Sequence, residues 1–165
     1  MPTLVAHRAG RHDIDAILGY AVSGIMTLAL AGSLALLILR IPSHRESPAE
    51  LLRAAAALWV TNILVFAIWY WRLDAGGPHR REARRRHISG AFFFPQMMDG
   101  APVEDAEHWT PRFIDYVFIA FNTSTAFSPT DTAVLSRWAK MLSMTQAVIS
   151  LMVVAILVSR AIGML

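Results

Sequence analysis

The chain of 165 residues is 55% hydrophobic and 16% charged, with a mean hydropathy of +0.45, where ordinary soluble domains carry about 25% charged residues. That balance excludes a water-soluble globule, and the lack of cysteine excludes disulfides, iron–sulfur clusters and thiolate metal sites. A net charge of +3 does not call for nucleic acid, because the basic residues flank apolar blocks, where anionic headgroups account for them.

The first apolar block covers residues 16–39 without a charge. At 1.5 Å per residue it is about 36 Å long, enough to cross a hydrocarbon layer of about 30 Å with a modest tilt. It exceeds the apolar region of about 7–15 residues of a secretory signal peptide and is kept as structure. Gly19, Ser23, Thr27, Ala31 and Ala35 recur every fourth residue. The spacing places small side chains on one helix face, where a neighbouring helix packs closely.

Residues 41–48 read as a turn, broken by Pro42 and Pro48. A second span follows over residues 54–71, framed by Arg53 and Arg72, with Trp59 and the Trp69-Tyr70-Trp71 run as aromatic belts. Asn62 is the strongly polar residue within it. Its first reading is an interhelical hydrogen bond, and its second a pore-lining group.

Residues 74–111 form a polar loop. Gly76-Gly77-Pro78 ends the preceding helix, and Arg80, Arg81, Arg84, Arg85 and Arg86 are expected to meet anionic lipid headgroups on the cytoplasmic surface. Phe92-Phe93-Phe94-Pro95 offers an interfacial anchor. Glu104, Asp105 and Glu107 read as a solvated loop, with a cation-attracting vestibule as the alternative.

Thr110-Pro111 reads as an N-cap with proline at the first helical position. The apolar residues 113–121 behind it cover only about 14 Å, too short to cross. The hydroxyl-rich residues 122–131 come next, with Ser128 to Asp131 expected to cap a final helix whose span covers residues 139–160. Gln146 and Ser150 share a face of that helix at i,i+4 and are expected to pack between helices. Ser143, Ala147, Ala155 and Ser159 form another row of small residues.

The expected fold is therefore all-α: a single membrane domain over residues 1–165, with three transmembrane helices plus a short re-entrant or half-length helix and its turn at residues 111–131. Irregular backbone at membrane depth persists only where protein or water shields it. A re-entrant turn thus implies a cavity or pore, with Thr123, Ser124, Thr125, Ser128 and Asp131 as candidate ion-binding residues.

This order of span, short helix, hydroxyl-rich turn and span resembles the pore region of two-span cation channels. Phe113 to Phe121 stands as the pore-helix counterpart, and Thr123-Ser124-Thr125-Ala126-Phe127-Ser128-Pro129-Thr130-Asp131 as the filter counterpart. The resemblance covers residues 54–163 and is architectural. A T-V-G-Y-G carbonyl filter is missing, so it implies selectivity by side-chain oxygens. Asp115-Tyr116-Val117-Phe118-Ile119-Ala120-Phe121 with Thr125-Ala126-Phe127-Ser128-Pro129-Thr130-Asp131-Thr132 also looks like the C-terminal region of an uncharacterised family of bacterial integral membrane proteins.

Three spans and one re-entrant segment put 11 of the 15 Lys/Arg residues on the side of the N-terminus and the 74–111 loop. By the positive-inside rule that side is cytoplasmic in a multi-pass protein of the cell membrane. A potassium-channel pore loop enters from outside, so either the orientation here is inverted or the likeness is only a shared packing solution. The six histidines lie outside the apolar blocks without ligand spacing, and no nucleophile, acid–base pair, metal site or cofactor motif is recognisable, so a non-enzyme is expected. Two functions follow. One is a homo-oligomeric, pore-loop-like protein that binds or conducts monovalent cations. The other is a structural or accessory membrane protein that packs against partner helices and membrane lipids.

Overall fold

A computed structural model describes residues 3–40, 47–83, 90–98, 109–125 and 131–162. Its elements are α1 (Thr3–Arg40), α2 (Pro48–Leu73), the short α3 (Pro78–Glu82), β1 (Phe92–Phe93), α4 (Phe113–Thr125), β2 (Ala133–Val134) and α5 (Arg137–Ile162). Three stretches are long and apolar enough to cross a membrane: Ile17–Leu39, Ala49–Gly76 and Arg137–Ser159. Large side chains such as Leu28, Leu39 and Leu151 are at least 70% exposed. That is costly in water and neutral in lipid. The protein is an all-α, multi-pass membrane protein.

The helix directions follow from paired contacts. Tyr70 bonds to Gln146 and Ser143, and Asn62 bonds to Ser150. As numbers fall along α2 they rise along α5, so the two are antiparallel. Thr27 accepts from Trp69, and Leu34 and Leu37 cluster with Leu51 and Ala55, which makes α1 antiparallel to α2. In contrast, Ala120 and Ser124 meet Gln146 and Ser150 in ascending order, so α4 is parallel to α5. α4 and α5 therefore start at the same end, and the chain has come back to that end by β2. With 13 residues, α4 is about 20 Å long. It is the half-length helix, four residues longer than the apolar segment because residues 122–125 continue it.

Local signals explain the boundaries. Ser47 accepts from the Glu50 amide at 3.3 Å while Glu50 accepts from the Ser47 amide at 2.9 Å. This capping box, with Pro48 at the first position, opens α2 at a place that reads as a turn in sequence. Behind α2 the chain reverses through Ala75, Gly76 and Gly77, all left-handed with φ of 49°, 84° and 91°. Glycine is favoured there because it has no Cβ to clash. The α1 backbone begins at Thr3, well ahead of its apolar span. The cap at Thr110 shifts: α4 starts at Phe113, and Asp115 accepts from the Arg112 amide at 2.6 Å.

Two expectations are corrected. The final helix does not start at Ser128 to Asp131. It starts at Arg137, where Ser136 accepts from the Ala139 amide at 3.3 Å, because residues 133–134 are taken up by antiparallel pairing of Phe92 with Val134 and Phe93 with Ala133. The phenylalanine run is not an outward anchor either. Phe92 is fully buried and Phe94 2% exposed. Phe92 fills the gap between three helix ends, with ring centroids 5.2 Å from Tyr70, 6.1 Å from Tyr116 and 6.4 Å from Trp138.

Candidate functional site

Between α2, α4 and α5 lies a ladder of buried polar groups. α2 contributes Asn62 and Tyr70, and Asp74 follows at its C-cap, each fully buried. From Asn62 to Asp74 the ladder runs about 18 Å along the helix axis.

At the shallow end, Asp74 accepts from the Ala91 amide at 2.6 Å and from the Tyr116 hydroxyl at 2.7 Å. Gly90 passes so close to Asp74 that a Cβ there would overlap the carboxylate and the Ala75 amide. Arg81 folds back to donate through Nη1 to the carbonyls of Trp71 at 2.7 Å and Asp74 at 2.8 Å. It thereby adds a side-chain donor at the C-terminal end of the α2 region, where the Asp74 carbonyl also accepts from the Gly77 amide at 2.8 Å. Its guanidinium also sits over the Tyr116 ring, 5.1 Å from the centroid, a cation–π contact.

In the middle, the Tyr70 hydroxyl donates to Gln146 Oε1 at 2.5 Å, and Gln146 Nε2 donates to the Ala120 carbonyl at 2.7 Å. One glutamine thus ties α2, α4 and α5 together. At the deep end, Asn62 Nδ2 donates to Ser150 Oγ at 2.7 Å, and Ser124 and Ser150 hydrogen-bond through their hydroxyls. Asn62 Oδ1 and Asn122 Nδ2 are buried there without a partner among the described residues. Trp59 packs edge-on to Phe121 at 5.8 Å.

The candidate pore residues separate. Thr123, Ser124 and Thr125 form the last turn of α4 rather than an irregular turn. Thr123 donates to the Ile119 carbonyl at 2.8 Å and Thr125 to the Phe121 carbonyl at 3.2 Å. Asp131 is exposed next to β2, at the shallow end and not at depth. Ser128 lies outside the described residues.

Of the packing residues, Gly19, Ser23 and Thr27 face α2, with Gly19 beneath the Arg72 guanidinium, whereas Ala31 and Ala35 are exposed. A four-residue step advances 40° beyond a full turn, so the stripe drifts off the contact, and Leu30, Leu34 and Leu37 are buried instead. Asn62, Gln146 and Ser150 lie together in the ladder. Among the arginines, Arg80 is exposed, Arg81 is 4% exposed, and Arg84, Arg85 and Arg86 lie outside the described residues. Asp74 and Tyr116 were not singled out by sequence. The available signal was an acidic residue one turn beyond Tyr70 at the end of an apolar span.

The chain matches no protein-family model, and comparison with curated proteins and solved structures found no similar protein.

Proposed function

We propose that the protein binds or conducts monovalent cations at the deep end of its half-length helix, in the manner of a pore loop. The observation that carries this reading is the course of α4. It starts beside α5, runs parallel to it and stops inside the bundle at the level of Asn62 and Ser150. A helix C-terminus there presents about half a negative elementary charge at depth.

The surrounding oxygens are neutral: those of Asn62, Thr123, Ser124, Thr125 and Ser150, with Asn62 Oδ1 buried and without a donor among the described residues. Such a set suits a monovalent ion, since divalent cations select carboxylates. Side chains fill the interior of a single copy, so a conduction path lies between copies, lined by Thr123 and Thr125, the partly exposed members of the set, and the working form is a homo-oligomer. The charge bias puts the basic end in the cytoplasm, so that α4 is inserted from that side.

In liposomes, the protein is expected to carry K⁺ or Na⁺ down an imposed gradient, and T123V/T125V to change the K⁺/Na⁺ ratio several-fold. Flux no greater than in protein-free vesicles, with insertion verified, overturns the reading. A second reading, a non-catalytic accessory protein, is favoured by one observation. The hydroxyls of Thr123, Ser124 and Thr125 are all engaged within the fold.

A further inference from the structure

At the basic end, Trp71 and Phe113 wall a cavity of about 270 Å³ whose polar lining comes from Arg81, Thr110 and Arg112. The two aromatic rings meet edge to face at 5.7 Å. No carboxylate is among the described lining residues. Among the described residues the nearby acids are engaged elsewhere, Asp74 with Ala91 and Tyr116 and Asp115 with the Arg112 amide. Arg112, Thr110 and the Arg81 donors beyond the Nη1 bonds to Trp71 and Asp74 match the oxygens of a phosphate, which arginine holds through charge-assisted and often bidentate bonds.

The position identifies the bearer of that phosphate. Trp71 lies in the last turn of α2 and Phe113 in the first turn of α4, at the level where a span meets headgroups. Below Phe113, Ile114 and Phe118 stand one turn apart on the outer face of α4, 65% and 55% exposed. A free phosphate has no use for that apolar face, whereas the acyl chains of a lipid would cover it. We infer that this cavity is a specific site for the headgroup of an anionic glycerophospholipid, held by Arg81 and Arg112 with its chains along α4. Arg81 also ends α2 and lies over Tyr116, so a headgroup bound to it braces the shallow end of the half-length helix.

The test uses the full chain in a neutral detergent, titrated with phosphatidylglycerol, with phosphatidylcholine of the same acyl chains, and with inorganic phosphate, and read by thermal unfolding. Because Arg81 also holds α2, the substitutions are Arg112→Gln in the cavity and Arg137→Gln, an exposed arginine at the same end that does not line it. Phosphatidylglycerol is expected to raise the midpoint where phosphatidylcholine does not. Arg112→Gln is expected to weaken its apparent affinity about tenfold, the loss of one charge-assisted contact, and Arg137→Gln less than about twofold, as for a screened surface charge. Equal response to the two lipids overturns the site. Equal losses in the two variants overturn it in favour of a diffuse surface field, and inorganic phosphate stabilising as well as the lipid overturns the lipid assignment.

Discussion

At its shallow end α4 is held by a buried carboxylate, Asp74, which accepts from Tyr116 and Ala91, whereas at its deep end it is held by neutral oxygens, Ser124 against Ser150 and Asn62. Both ends are buried, so exposure does not separate them; depth does. An ionised side chain at the centre of a bilayer costs about 2.5–3.5 kcal/mol on insertion scales, while near the headgroups water and basic side chains moderate that cost. The strong, charged fastening therefore sits at the interface. The weaker neutral one sits towards the middle of the span.

The largest effect is expected from unfastening the shallow end. Asp74→Ala leaves the Tyr116 hydroxyl and the Ala91 amide buried without an acceptor, and at about 1.5–3 kcal/mol per bond to a charged group the loss is about 3–6 kcal/mol. Unfolding in mixed micelles measures it, and a loss below about 1 kcal/mol would show that Asp74 does not fasten α4. At the deep end, Asn62→Leu removes the bond to Ser150 and is expected to cost about 0.6–1.7 kcal/mol, the range found for hydrogen bonds between membrane helices. A cost equal to that of Asp74→Ala would break the ranking by depth.

The smallest effect is expected away from the ladder altogether. Ala31→Leu, on the exposed part of the α1 stripe, should change stability by less than about 0.5 kcal/mol. Ser23→Leu, where the same stripe is buried against α2, should cost about 1–3 kcal/mol through overpacking. Equal costs would mean that another copy covers Ala31, which sharpens the oligomer question.

Much of the fold was legible because span length and local apolarity are properties of contiguous residues. The 16–39 and 54–71 blocks, and the shortness of the segment after Pro111, needed no partner to be recognised. Asn62, Gln146 and Ser150 were also legible as polar residues in apolar runs, although their meeting in one ladder was not. The burial of Arg81 and Phe92 was not legible, for a shared reason. Each belongs to a run, of arginines or of phenylalanines, whose composition points outward, and single members of such runs turn inward only when distant elements offer carbonyls or an aromatic gap. Ser128 shows the same limit: a locally sound cap signal gave way to pairing of residues 133–134 with residues 92–93, forty positions away.

By itself, then, the sequence determined that three helices are long enough to cross a bilayer and that one is not, since a rise of 1.5 Å per residue against a layer of about 30 Å leaves no other outcome. Only the tertiary structure decided which way the short helix points and what holds it. Its direction is set by long-range contacts, Ala120 and Ser124 against Gln146 and Ser150. Its fastening is set by Asp74, whose partners lie 17 and 42 residues away. Buried polar groups require partners wherever the chain supplies them, and that requirement shows only once the helices are packed.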